Sequence, residues 1–314
     1  MTLRIAKRKK VQISNLDAQG NATFSRQLEY IRTQNVAMRF PNFMARTLIP
    51  VKNDIDPGVQ TITWRSYAPA GVAKLISSYA DDLPRSDVTA EENTSRVHSI
   101  GNSYGFSVDE IAASAYAGNE LDAKKAAAAR RANEQEVERI ASTGDARFNI
   151  LGLLNQPNVI TYAVAAGAST STAWGAKTGK EQLADLLGII QSVISTTNGV
   201  EKPNTIILPE TQYGIAATGR ISDTTDTTVL EFFQKARPNI EVLAWERLKG
   251  AGVANSDRMV AYYRDPNFLE LNIPKEWTEL DPQERNLEVV IPCHSRIGGV
   301  VLYYPLSMSY ADGI

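Results

Sequence analysis

The chain of 314 residues has one cysteine, two histidines and no apolar run approaching the roughly 18 residues that a membrane helix needs. A lone thiol, Cys293, excludes an intrachain disulfide framework and a cysteine-ligated metal site, and it fits a reducing compartment. His98 and His294 are too few for a histidine-rich metal centre, so neither metal nor cofactor is expected. The N-terminus is basic but lacks the apolar stretch of a secretory leader, which points to a soluble protein made in a cytoplasm. Charge of one sign is scarce too: 33 Lys and Arg against 35 Asp and Glu leave a net charge of -2. That balance gives no global attraction to nucleic acid or to an anionic membrane, although Lys7-Arg8-Lys9-Lys10 is a local basic run.

Motifs of catalysis are missing as well. "GAKTGKE" is one residue short of a phosphate-binding P-loop and has Glu181 where a magnesium-binding hydroxyl belongs, while "GIAATGR" runs on from Arg220 into Ile221. Both read as helix ends. Cys293 and His294 are adjacent, but successive side chains of a strand point to opposite faces, so they do not make a nucleophile and base. The carboxylates Asp54 and Asp56, Asp81 and Asp82, and Glu91 and Glu92 fall in segments that read as extended and solvated, unsuited to a shielded acid/base pair. No catalytic residue is assigned.

What is present includes "NELDAKKAAAARRANEQEVERIASTGD", residues 119–145. Asn119 suits the N-cap, alanines fill the middle and Gly144 suits a left-handed stop, so a helix is expected over Asn119 to Thr143. Its charges go all round, with pairs such as Arg130 with Glu134 and Glu136 with Arg139, and its larger apolar residues are only Leu121, Val137 and Ile140. Such a helix is either solvated on a globule or a strut between subunits. Residues 1–57, with a short helix around Gln27 to Asn35 and then three prolines, cannot make a core of their own and read as an arm lying across other structure. Val59 to Tyr67 and Val72 to Tyr79 flank Ala68-Pro69-Ala70-Gly71, which predicts an extended hairpin with Ile62, Trp64, Leu75, Ile76 and Tyr79 to bury; the alternative is an edge of the main sheet. "SRVHSIGNSYGF" reads as a strand, and Ser107 with Glu110 has the spacing of a capping box before a short helix. From residue 151 to about 284, strand and helix signals alternate, with Leu183, Leu186, Leu187, Ile190 and Val193 along one side of an amphipathic helix, the pattern of a compact α+β domain.

In order and spacing, the proline-broken arm, "TITWRSYAPAGVAKLISSYADDLPRSDV", "IGNSYGFSVDEIAAS", the charged alanine-rich helix and "GLLNQPNV" directly after it resemble a tailed-bacteriophage major capsid protein. The resemblance runs from about Gln27 and is to a branch of the Hong-Kong-97-like fold that once carried only an unknown-function label. It implies an α+β fold with residues 1–56 as N-terminal arm, 57–92 as extended β-hairpin loop and 93–150 as a peripheral domain whose spine is the charged helix. Residues 151–284 would be the axial domain, 285–300 a return strand of the peripheral domain and 301–314 a final axial strand. The implied function is structural, not enzymatic: self-assembly as hexamers and pentamers into the icosahedral shell that encloses a phage genome, located in the virion and assembled in the host bacterial cytoplasm. Implied partners are a separate scaffolding protein, a portal, a decoration protein and, non-specifically, packaged DNA. An encapsulin-like cellular compartment shell is the rival reading, and an enzyme of unknown reaction the third. Contacts between subunits are expected at Trp64, Arg65, Tyr67, Lys74, Tyr79, Arg130, Arg131 and Glu134, and Lys74 with Asn102 is the pair to consider for a covalent crosslink.

One outcome follows from strand geometry and the missing base–nucleophile constellation. Cys293→Ser and His98→Ala are expected to leave particle yield nearly intact apart from modest packing losses; complete loss of infectivity with normal particles would contradict a purely structural role.

Overall fold

The computed structural model describes residues 42–73, 85–117, 121–222 and 224–314. The features expected at Lys7 to Lys10, Gln27 to Asn35, Lys74, Leu75, Ile76, Tyr79, Asp81, Asp82 and Asn119 lie outside the described residues. A one-turn helix (α1, Ala45–Leu48) and a short strand (β1, Val51–Lys52) lead to two long strands (β2, Thr61–Ala70; β3, Asp87–Arg96). Strand β4 (His98–Ser107) then runs into helices α2 (Val108–Ala117) and α3 (Leu121–Thr143). An alternating stretch follows: β5 (Ile160–Ala163), α4 (Gly179–Thr196), β6 (Thr205–Leu208), α5 (Glu210–Thr218), α6 (Val229–Ala236), β7 (Glu241–Ala244) and β8 (Arg258–Tyr262). The chain then turns to strands alone: β9 (Leu269–Asn272), β10 (Lys275–Glu279), β11 (Gln283–Arg285), β12 (Glu288–Ile297), β13 (Gly299–Leu302) and β14 (Ser309–Asp312).

A five-stranded sheet in the order β5-β14-β8-β6-β7 has apolar side chains on both faces. Ile206, Leu208, Met259 and Ala261 meet Leu186, Ile189, Val193 and Phe233 of α4 and α6. Ile207, Val260, Tyr262 and Tyr310 face a second core with α1, the end of α3, β9 and β13. Because both faces are covered, β6 is buried at every position, as sequence runs such as "TIIL" require. Each large side chain so buried contributes about 1.5–3 kcal/mol. Within the first core, Asp185 accepts from Lys177 at 2.6 Å and from Trp174 Nε1 at 3.0 Å, and burial pushes its carboxyl up. Glu181, the residue that breaks the P-loop pattern, closes a capping box with Thr178 at the start of α4.

The second large sheet is built on β12, which pairs β4 along its whole length, from Glu288 opposite Ser107 to Ile297 opposite His98, and takes β10 and β11 on its other edge. Alternation gives it two faces. Asn102, Phe106, Cys293 and Ser295 face α3, while Ser99, Gly101, Ser103, His294 and Arg296 face away, so Cys293 and His294 are on opposite sides as expected. Strand β9 forms a third sheet with β1 and β13.

Helix α3 answers to this sheet. Its buried positions Ala129, Asn133, Val137 and Ala141 recur every four residues and form a narrow stripe. Polar bonds replace apolar area over its first half: Asn102 Nδ2 donates to Ala129 O at 2.6 Å, Ser295 Oγ to Asn133 Oδ1 at 2.5 Å, and Lys125 Nζ to Gly105 O at 2.8 Å while lying over the Phe106 ring. Val137, Ile140 and Ala141 carry the second half into the core. Gly144 ends the helix at φ +68, where an added Cβ would meet Ile150 O at 2.2 Å. Of the expected pairs, Glu136 binds Arg139 at 2.7 Å, but Glu134 is taken by Arg46 of α1 instead of Arg130. Glu138 is buried, and its carboxylate accepts from Ala45 N at 2.8 Å, Met44 N at 3.3 Å and Trp245 Nε1 at 2.6 Å.

The hairpin differs from expectation. Strand β2 continues through Ala68, Pro69 and Ala70, which pair with Thr89, Val88 and Asp87, so the expected turn residues lie within a strand and β3 is the partner. A proline is tolerated here because each strand of a two-stranded ribbon has one edge that needs no ladder donor.

Two outcomes follow. Glu138→Ala leaves two buried donors, Ala45 N and Trp245 Nε1, and the half-buried Met44 N without their acceptor, each buried one worth about 1–3 kcal/mol, so denaturant melts of unassembled subunits are expected to fall by about 3 kcal/mol or more. The control Glu136→Ala, at a half-exposed pair, is expected to lose less than about 1 kcal/mol; equal losses would remove Glu138 from its central place. Hydrogen bonds from Arg147, with Arg139 adding to them against desolvation, hold Asp145 at about 2, below its ordinary 3.8. A depressed carboxylate stabilises the fold above the unfolded value and loses that contribution as pH falls through the folded one. Subunit stability is therefore expected to drop between about pH 4 and pH 2, less so in Asp145→Asn, as read by melts across that range.

Candidate assembly interface

Hairpin β2–β3 is anchored at its base and solvated beyond it. At the base, Val97 N donates to Gln60 O at 2.9 Å and Ser95 Oγ to Gly298 O at 2.8 Å, and Trp64 meets Tyr303 edge-on with ring centres 5.8 Å apart. Tyr303 in turn donates its hydroxyl to the buried Glu270, which Lys52 also approaches at 3.4 Å. Burial first, then Glu270, pushes the Tyr303 hydroxyl well above the ordinary phenol range, so it stays a donor. Beyond Trp64, Tyr67 is 65% and Val88 57% exposed, and among the described residues Arg65 pairs with its cross-strand neighbour Glu92 at 3.4 Å, a pair worth under about 1 kcal/mol.

The expected contact residues therefore divide. Arg65 and Tyr67 are exposed on the ribbon, and Arg130 is exposed on α3. Trp64 packs within its own chain. Glu134 receives Nε and Nη2 of Arg46 at 3.0 and 3.1 Å, while the same guanidinium reaches Glu276 at 2.8 and 2.9 Å. Arg131 lies over the Phe43 ring at 5.6 Å. Lys74 and Tyr79 are outside the described residues, and the Asn102 amide is engaged at both ends, by Ala129 O and by Trp277 Nε1.

A second exposed apolar surface was not singled out by sequence. Helix α2 starts with a reciprocal capping box, Ser107 N to Glu110 Oε2 at 3.2 Å and Glu110 N to Ser107 Oγ at 3.1 Å, yet buries none of its described side chains. Val108, Ile111 and Tyr116 are 51%, 46% and 97% exposed, and Leu287, whose carbonyl accepts from Val108 N at 3.0 Å, is 77% exposed. The spacing of Val108 and Ile111 was the available signal, but spacing marks a face without saying whether the chain itself covers it. Among the described residues no group of three or more His, Cys, Asp or Glu is placed to hold a metal. The clefts beside Glu110 and beside His98 are lined by scattered polar residues and bring no nucleophile to a base.

A family described as "Major capsid protein" matches residues 71–314. No curated protein matches the chain in sequence. Among solved structures, the capsid of Myoviridae phage XM1 is 15% identical with a TM-score of 0.81, over 92% of this chain and 98% of that one. The capsid of a native GTA particle is 12% identical with a TM-score of 0.65, over 96% and 99%. A virus-like particle from Pyrococcus furiosus is 12% identical with a TM-score of 0.53, over 85% and 91%. At these identities the likeness is one of fold, the Hong-Kong-97-like fold, and it is the family match across most of the chain that fixes identity: this chain belongs to the major capsid protein family, the proteins that form the shell of phage capsids.

Proposed function

We propose that copies of this chain close as hexamers and pentamers into the icosahedral head of a tailed phage and enclose its genome, with each hairpin lying on a neighbouring copy. The hairpin itself carries this reading. A two-stranded ribbon is marginal in water, and the outer half of this one exposes Tyr67 and Val88, which no described residue covers. Family membership, rather than the fold alone, favours a virion over a cellular compartment, since one fold hosts many functions. It also favours a structural role over an enzymatic one.

Within this reading we propose to divide the chain into N-terminal arm, extended loop, spine helix, peripheral and axial domains, with one boundary moved. The five-stranded sheet draws only on residues 160–262 and 309–312, whereas β9, β10 and β11 pair with β13 and β12. We therefore assign residues from about 265 to 302 to the peripheral domain instead of ending the axial domain at 284. A separate scaffolding protein, a portal, a decoration protein, packaged DNA and assembly in the host cytoplasm belong to the same proposal. Arg65, Tyr67 and Arg130 remain the contacts proposed between copies.

Size-exclusion chromatography with negative-stain microscopy tests assembly: closed shells are expected, and a stable monomer under all ionic conditions, scaffold included, would end the proposal. Tyr67→Ala is expected to weaken assembly by about 2 kcal/mol per contact, an aromatic anchor's usual share, while unassembled subunits melt as before. Trp64→Ala is expected to lower both, because it also loosens the base on Tyr303. Normal shells from both variants would show that the ribbon's neighbour contact does not matter.

A further inference from the structure

The stretch "GAKTGKE", which falls short of a P-loop, puts a lysine where few proteins put one. Lys177 and Asp185 are buried together, with side chains 1% and 3% exposed, and Lys177 Nζ donates to Asp185 Oδ2 at 2.6 Å. Lys177 follows a 3-10 turn, Trp174–Ala176, and Asp185 lies on the buried side of α4. Their meeting is built from several sides. Trp174, itself buried, donates Nε1 to Asp185 Oδ2 at 3.0 Å, and Gln182 Nε2 fixes the turn against α4 through Trp174 O at 3.0 Å and Lys177 O at 3.2 Å. Tyr162 of β5 crosses α4 one turn further on, its hydroxyl filling the space that a Cβ on Gly188 would take.

As an ion pair this arrangement is poorly served. A buried pair stabilises only when its remaining donors are bonded as well. An ammonium carries three donors, and among the described residues Asp185 Oδ2 is the one acceptor that Lys177 Nζ reaches. Burial outweighs the bonds from Lys177 and Trp174 and pushes the Asp185 carboxyl up, and the charge of Glu181, one turn earlier on α4, acts in the same direction. Both favour the neutral acid. A proton passed from Nζ to the carboxyl then leaves an amine facing a carboxylic acid in a site that excludes water.

We propose that Lys177 and Asp185 condense within the chain to an amide, a covalent staple inside the axial core. After that proton transfer the Nζ lone pair attacks Cγ, the bond from Cγ to the hydroxyl breaks, and the hydroxyl leaves with a second proton from nitrogen as one water. Two opposite charges become one neutral amide, with no oxidant, reductant or co-reactant. Trp174 Nε1, donating to the same carboxyl, steadies the charge that develops on oxygen during the attack. The product ties the Trp174–Ala176 turn to α4, so the start of the helix and the loop before it can no longer part. This goes beyond the shell reading and does not depend on it.

Mass spectrometry of the full chain, denatured in acid, tests the staple. Most chains are expected to weigh one water less than the sequence. Trypsin, which does not cut after an acylated lysine but does cut after Lys180, is expected to leave residues 148–180 joined to residues 181–220. A folded chain of full mass overturns the proposal, because an ion pair does not survive denaturation. A chain one water lighter whose two peptides separate also overturns it, since Asp312 beside Gly313 can lose the same water by closing a succinimide. Lys177→Arg keeps the cation but removes the amine, and is expected to fold by circular dichroism, regain full mass and give separate peptides; a joined product in this variant would overturn the assignment. Should the variant not fold, wild-type chains recovered unfolded in urea serve instead. They are expected to carry full mass and to lose one water only on refolding, and a loss already complete before refolding would show that the fold does not drive it.

Discussion

A carboxylate inside the protein decides how three distant segments meet. Glu138, midway through the last turns of α3, is buried with Ala45 N, Met44 N and Trp245 Nε1 around it. An ionised group without such partners would cost several kcal/mol, so the arrangement is tolerable only with its donors in place. The entry of the chain into α1, the register of α3 on its sheet and the position of Trp245 after β7 are therefore fixed together. Glu270 does the same on a smaller scale, drawing Lys52 and Tyr303 together and, through Tyr303, seating Trp64 at the hairpin base.

These two buried acids separate the part of the subunit that is complete from the part that is not. Around Glu138 the two cores fill both faces of the five-stranded sheet. Beyond Glu270 the ribbon leaves the core, and among its described residues past Trp64 no side chain is buried. Folding of the subunit thus depends on burial, whereas the docking proposed for the ribbon depends on contact between copies. Substitutions such as Tyr67→Ala touch only the second.

Sequence gave up local signals and withheld long-range ones. Ser107 with Glu110, Gly144 and the alternation at Cys293 and His294 were legible because each is decided within a few residues. The ribbon was half legible: Pro69 and Gly71 suggested a turn, and "DVTAEENTSR" carries no apolar alternation because a strand solvated on both faces has none to show. Helix α3 looked solvated all round because its contacts to the sheet are made by Lys125, Asn133 and a backbone carbonyl, which periodicity of apolar residues does not register. Glu134 was expected to face a neighbour, yet its partner Arg46 stands 88 residues earlier, a pairing that only the fold brings together.

Strand β14 sits between β5 and β8, second in the five-stranded sheet, parallel to one and antiparallel to the other. The sheet is therefore split in two until residues 309–312 are available, with Val260 and Ala261 lacking a neighbour along one edge. During synthesis, hairpin and α3 leave the ribosome long before that closing strand, and pairings so far apart in sequence are slow to form. A nascent chain thus presents its sticky ribbon while its axial part is still unfinished. Completion of the sheet, timed by the ribosome, then sets the earliest moment at which the subunit's two cores are whole.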